Sequence, residues 1–303
     1  MKSKVTNSKI PTKFEWGILV FLFAFLFVNF LFPDIILTTN HSISFYDLLS
    51  KNDLIHFYSE NYIINGPLGT TYMTYDFPIF AIMGLWNIPL LLLQKIFGIV
   101  WYNNLISILY AKSILILFAI LSLWIMKKIL VLLNKTQEDI KWYKFLFVSS
   151  PIFLMVLGLF GGYDIISIFF SLVGIYYYLQ DKDKQFVLLF ALAISLKLFA
   201  LVLFIPLLLL KYKKISKILL YGFLSLSVLI FAKLVYMNAP MYQESLNAFN
   251  DGMMTYLMTN NFAGSFSTVS IFFIIYTLIC ILCYFKEYKG KETLEKYTMY
   301  IGL

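Results

Sequence analysis

Apolar residues fall along this chain in long runs separated by short turns that carry lysine. The runs at 16–32, 77–99, 105–125, 145–161, 165–179, 186–196, 198–210, 218–236 and 268–285 hold almost no charge. A helix needs about 20 apolar residues to cross a hydrocarbon core, and several runs approach or exceed that length. The short alternating strands of an outer-membrane barrel do not occur. The pattern predicts an all-α fold: a polytopic transmembrane bundle of about eight to ten membrane helices, in one domain over 1–303.

One stretch departs from the pattern. Residues 33–78 follow the first run directly and are polar and aromatic, so 34–78 is expected to form a long loop after the first helix. Within it, 44–58 reads as a juxtamembrane helix. Phe45, Leu48, Leu49 and Ile55 share one stripe, and Asp47 and Lys51 form an i,i+4 pair on another. Ser44 followed by Asp47 also fits a capping box, in which Asp47 only satisfies a backbone N–H.

Lysine placement orients the runs, because lysine-rich loops face the cytoplasm. The N-terminal stretch carries Lys2, Lys4, Lys9 and Lys13 and is assigned to the inside. The first run has no small-residue cleavage pattern and reads as an uncleaved helix that sends the 34–78 loop outward. The turn with Lys127, Lys128, Lys135, Lys141 and Lys144 is again inside, so an even number of crossings lies between. Runs 16–32 and 105–125 supply two. Residues 77–99 are therefore expected to be re-entrant or interfacial, broken by Pro78 and Pro89. Run 145–161 goes out and 165–179 returns to the DKDK turn at 181–184. Runs 186–196 and 198–210 are each shorter than a span and predict a thin hairpin with Lys197 at its outer tip. It returns to Lys211, Lys213, Lys214 and Lys217. Run 218–236 leads to a second outer loop at 238–267, with Glu244 and Asp251, and 268–285 leads back inside. A further apolar segment begins near Leu303: either a short terminal helix or a truncated form.

Composition agrees with the pattern. The 303 residues are 61% apolar and 13% charged, against about 25% charged in soluble domains. The net charge of +8 comes entirely from lysine, with no arginine. Lysines in short clusters between apolar runs match loops beside anionic lipid, not a nucleic-acid surface. Any bound phosphate is then held by point charges instead of a bidentate fork. Cys280 and Cys283 sit in an apolar run and read as packing residues. No ligand spacing indicates a metal and no cofactor is required by the sequence, although a divalent ion stays open.

The candidate chemistry gathers on the outer side. The 33–78 stretch holds both histidines, His41 and His56, and five of the sixteen acids: Asp34, Asp47, Asp53, Glu60 and Asp76. Lys112, Asp164 and Lys197 lie inside or at the ends of apolar runs, where an ionisable group points to function. In the predicted topology all three lie toward the side of that loop. The plainer roles are that the lysines snorkel and that Asp164 caps the helix after it.

The block from Ser150 to Leu210 carries Pro151, Gly161, Asp164, Lys197 and Pro206. It resembles the Pro…Gly-x-x-Asp…Lys…Pro block of bacterial polyprenyl-linked mannosyltransferase-like proteins and GPI mannosyltransferases, members of the GT-C superfamily of integral-membrane glycosyltransferases. YDFPIFAI at Tyr75 is similar to the family's Tyr-Pro-Pro-Leu segment, with Phe77 in place of the first proline. Lys112 falls where the family has a basic residue. Relatives carry an acidic pair just after the first helix; here Asp34 and Asp47 are thirteen residues apart. The resemblance implies transfer of a sugar from a polyprenyl-phosphate donor, with inversion, to a glycan or glycolipid acceptor on the outer face of the cell membrane. It implies that Asp34 or Asp47 is the base and that Lys112 and Lys197 hold the donor phosphate. His41 would orient the base or the acceptor, Tyr72, Tyr75 and Trp86 would meet sugar rings, and Asp76 and Asp164 would join the substrate site. A transporter or flippase of lipid-linked glycans is the alternative, and would favour an internal repeat. A non-catalytic membrane subunit is a further one.

Overall fold

The structure, a computed structural model, describes residues 10–30, 33–58, 75–239, 242, 265–288 and 290. Every regular element among them is helical. Tyr72, Glu60 and most of the predicted second outer loop, with Glu244 and Asp251, lie outside the described residues.

Helix α1 (Lys13–Asn29) opens on a capping box: Thr12 Oγ1 accepts from the Glu15 amide at 3.2 Å, and Glu15 Oε2 accepts from the Thr12 amide at 2.6 Å. Helix α2 spans Pro33–Ser50, so it starts well before the predicted Ser44. Proline at the first helical position has its φ already set. The buried face runs through Ile35, Thr38, Thr39, Ser42, Phe45 and Leu48. Half of it is polar, which hides the helical period from an apolar count. Ser44 is consequently interior and its capping box does not form, while the Asp47–Lys51 pair does, at 2.8 Å. Residues Leu54–Tyr58 form a separate 3₁₀ turn.

Helix α3 (Phe77–Phe97) is continuous, with Pro78 in its first turn and Pro89 inside. The expected breaks at these prolines are absent. Helices α2 and α3 pack side by side and run in the same direction. Asn87 donates to the Ser42 hydroxyl at 3.2 Å, and further along Lys95 reaches Asp47 at 2.6 Å and the Ser50 hydroxyl at 3.2 Å. The Phe45 ring reaches back toward the start of α3 and stacks beside Phe77 at 6.3 Å. At the close approach stands Gly84, where a Cβ would meet the Tyr46 ring at 2.4 Å and the Ser42 carbonyl oxygen at 2.6 Å.

Helix α4 (Leu105–Leu132) is capped by Asn104, whose Oδ1 accepts from the Ile106 amide at 2.9 Å. Helix α5 (Gln137–Ser149) is followed by α6 (Pro151–Phe153), which continues as a π-helix over Leu154–Phe160. The predicted single run at 145–161 is thus bent, by 50°, because Pro151 lacks an amide donor and holds Ser150 out of the helical region. Helix α7 (Asp164–Tyr178) packs on α8 (Asp183–Leu196), with Gly174 against Phe190. Helix α9 (Phe199–Lys211) folds back on α8. Phe186 stacks on Phe204 at 5.2 Å and Lys211 pairs with Asp183 at 3.0 Å, which leaves extended Lys197 at the tip of the hairpin. Helices α10 (Ile215–Ser225) and α11 (Ser227–Tyr236) follow at a 45° bend, and α12 (Ser265–Phe285) packs on α9.

The hairpin defines two ends of the bundle. Helix α4 meets the Gly161 turn at Lys112, in its third turn, and its later turns pack at Ile129 against the core around Tyr178 and Phe204. Tyr75, just before α3, is also at the tip end. Only residues 98–104 join α3 to α4, a reach of at most about 25 Å. Midway along α3, Trp86 stacks on Tyr110, near the start of α4.

By length and composition, α3 and α4 are the two described helices able to cross a membrane, or up to five spans result if each bent pair counts as one. Helices α7, α9 and Phe273–Phe285 are apolar but shorter. Large apolar side chains such as Phe21, Ile106, Ile152, Leu219 and Phe285 are exposed on the outside. Apolar surface of this extent belongs to a membrane-associated helical bundle.

Candidate active site

The π-helix ends at Gly161, whose φ of +67° is a left-handed conformation suited to glycine. A Cβ there would lie 3.3 Å from Ile35, so this turn rests on the first turn of α2, beside Asp34. The turn continues through Tyr163 to Asp164. Lys197, from the hairpin tip, points into it: its Nζ is 3.3 Å from Asp164 Oδ1, 4.4 Å from the Tyr163 ring centre and 5.2 Å from that of Tyr75. The Tyr75 and Tyr163 rings meet edge to face at 5.0 Å. Burial raises the pKa of the Tyr163 hydroxyl well above its ordinary range, and neighbouring Tyr75, Asp164 and Asp34 push the same way. Four chain-distant segments thus bring Asp34, Tyr75, Asp164 and Lys197 together around one buried tyrosine.

The site is open to a reactant. Asp34 is exposed. The Lys197 and Asp164 side chains keep 28% and 31% of their surface. An ion pair so exposed is weak, so an incoming anion can take over the lysine without leaving an uncompensated buried charge. A reachable carboxylate, a cation cradled by two aromatic faces and a second carboxylate are the parts of an acid–base and phosphate-binding site.

The other predicted residues are placed elsewhere. Asp47 lies about 20 Å from Asp34 along α2, clamped by Lys51 at 2.8 Å and Lys95 at 2.6 Å. The two candidate bases therefore stand at opposite ends of one helix. Lys112 is fully buried and donates to the carbonyls of Phe27 (2.9 Å), Phe30 (2.9 Å) and Gly158 (2.7 Å). An ammonium has three donors, and all are used, so the phosphate role expected of Lys112 does not fit. It instead ties α1 and the π-helix to α4 directly beneath the Gly161 turn. His41 is buried with its ring edge against Phe80, about 10 Å along the axis from Asp34, too far to orient that carboxylate. Trp86 stacks on Tyr110 at 5.6 Å, each donating to the other's carbonyl, so that face is unavailable to a sugar. Asp76 adjoins the site through Tyr75 and accepts from Tyr242 at 2.8 Å, with Lys233 at 3.8 Å.

Tyr163, Tyr242 and Lys233 were not singled out in the sequence. Tyr163 lies within the Gly-x-x-Asp motif. Lys233 is a charge inside an apolar run, the same signal that marked Lys112. The motif and that rule hold the clue for both; nothing marked Tyr242. Among the described residues, no three His, Cys, Asp or Glu side chains come together as a metal site. Cys283 is buried and Cys280 partly so. No family model, no curated protein and no solved structure matches this chain.

Proposed function

We propose that this protein is a polytopic membrane glycosyltransferase of the GT-C type, moving a sugar from a polyprenyl-phosphate donor to a glycan or lipid-linked acceptor on the outer face of the cell membrane. The observation that carries it is the convergence of Asp34, Tyr75, Asp164 and Lys197 at the hairpin tip. In the transfer, the acceptor hydroxyl oxygen attacks the anomeric carbon while the bond from that carbon to the donor phosphate oxygen breaks. Asp34 takes the hydroxyl proton. Polyprenyl phosphate leaves with the bonding electron pair, and Lys197 neutralises the charge that develops on it. Asp164 holds Lys197 in place before the donor arrives. The steps assigned to these residues call for no metal or organic cofactor.

The test is to incubate the purified protein with labelled polyprenyl-phosphate sugars and acceptor glycolipids. Release of free polyprenyl phosphate together with a glycosylated product is expected. Lys197→Met should weaken donor binding by about 10- to 100-fold, the loss of one charge-assisted contact, while Lys144→Met on the opposite lysine cluster should not. Movement of the intact donor across a vesicle membrane without cleavage would instead identify a flippase.

A further inference from the structure

The end of the bundle opposite the hairpin tip has its own arrangement of charge. Lys211 Nζ lies 2.8 Å from Asp181 and 3.0 Å from Asp183, and Lys217 lies 3.1 Å from Asp183. These pairs occupy both aspartates of the DKDK turn. Segments 181–184, 211–217 and 286–287 nonetheless hold seven lysines against three carboxylates. A cavity of about 510 Å³ opens here between the α9–α10 connection and the end of α12, lined by Lys211, Lys213, Lys286, Tyr284 and Tyr288 with Glu287 its one acid. Lys213 donates to the carbonyls of Leu209 and Cys283, both at 2.8 Å. Those bonds fix its ammonium at the cavity and leave a third donor.

An apolar path leads to the same place. Ile274, Leu278, Ile281, Leu282 and Phe285 are exposed and recur at helical spacing along α12, ending beside Lys286. A stripe of exposed apolar side chains that runs into a lysine-lined cavity has the two-part character of a phospholipid. The chains match the stripe and the phosphate matches the lysines, and juxtamembrane lysines draw anionic headgroups.

We propose that this cavity binds the phosphate headgroup of an anionic membrane lipid, whose acyl chains lie along the exposed stripe of α12. The site stands about 21 Å along α8 from Lys197, apart from the proposed transfer chemistry, and its occupancy is independent of turnover. An inorganic phosphate ion would use the lysines and leave the stripe without a role.

The full-length protein, extracted in mild detergent, would be titrated with phosphatidylglycerol, phosphatidylcholine and inorganic phosphate, and bound molecules counted by native mass spectrometry. Phosphatidylglycerol should be retained in preference to phosphatidylcholine, and inorganic phosphate should not displace it. Lys286→Gln should cut that retention by about fivefold, and adding Lys213→Gln should cut it further. Lys213 also satisfies two carbonyls, so the single Lys286→Gln variant is decisive if the double variant does not fold. Lys141→Gln, on α5, should behave as wild type. Equal retention of the two lipids, displacement by inorganic phosphate, or unchanged binding in Lys286→Gln would each overturn the lipid assignment.

Discussion

Lys112 and Lys197 carry the same charge in opposite settings. Lys112 has no exposed surface and three carbonyl partners; Lys197 keeps 28% of its side-chain surface and a single carboxylate. Lys112→Met should therefore act on stability: three carbonyls, those of Phe27 and Gly158 buried and that of Phe30 partly so, lose their donor, a cost of about 3 kcal/mol or more. Thermal unfolding would fall sharply while the folded fraction kept its donor affinity, and an undiminished melting temperature would count against the carbonyl cradle. A lone lysine in an apolar run looks the same in either setting, because what separates them is the backbone brought near, and that depends on α1 and the π-helix. Asp34 and Asp47 divide in the same way. Asp34→Asn should lower turnover by about 10²–10⁴-fold with little change in melting. Asp47→Asn should leave turnover near wild type and alter stability by no more than about 1 kcal/mol, since its lysine partners are solvent-accessible. If Asp34→Asn keeps more than about a tenth of wild-type turnover, it is not the general base. The sequence left these two open because their separation depends on where α2 begins, and the polar half of its buried face conceals that start.

Helices α2 and α3 make the layer that carries Asp34 and Tyr75, and their close approach rests on Gly84. An alanine there would place its Cβ 2.4 Å from the Tyr46 ring and 2.6 Å from the Ser42 carbonyl oxygen. The ring can swing; the carbonyl belongs to α2 itself and cannot move without the helix. Gly84→Ala should cost about 1–3 kcal/mol, and trimming the ring with Tyr46→Leu should fail to restore it. Recovery of the wild-type melting temperature in that double variant would show that the helices do not approach so closely. Other elements were open to reading from their lengths alone. The two short runs flanking Lys197, with the lysines at 211–217 beyond them, favoured a hairpin over a single crossing, and α8 and α9 form one. The π-helix at Leu154–Phe160 was not visible, because its apolar residues are equally compatible with an α-helix. The continuity of α3 through Pro89 was also hidden, since the local preference of proline to break a helix is outweighed by packing on α2 and α4.

At the scale of the whole molecule, charge divides the bundle into two ends. The hairpin tip gathers Asp34, Asp164, Lys197 and the starts of α2 and α3; the other end gathers the DKDK turn and the lysines of the α9–α10 connection. Under the proposed function the lysine-rich segments face the cytoplasm and the tip faces outward. Helix α3 is long enough to cross, and an added crossing there would reverse every later segment. Its start, however, is at the tip, through Tyr75 at Lys197, and midway along it Trp86 stacks on Tyr110 near the start of α4. Single cysteines at Gln94, Leu198 and Lys214, all exposed positions, separate the two topologies in a chain whose Cys280 and Cys283 are replaced by serine. With an impermeant thiol reagent added to intact cells, Gln94→Cys and Leu198→Cys should label and Lys214→Cys should label only after lysis. Labelling of Lys214→Cys from outside would invert the bundle and remove the proposed site from the outer face. Protection of Gln94→Cys and Leu198→Cys together with labelling of Lys214→Cys would mean that α3 crosses the membrane, and the layer over the site would then have to be drawn anew.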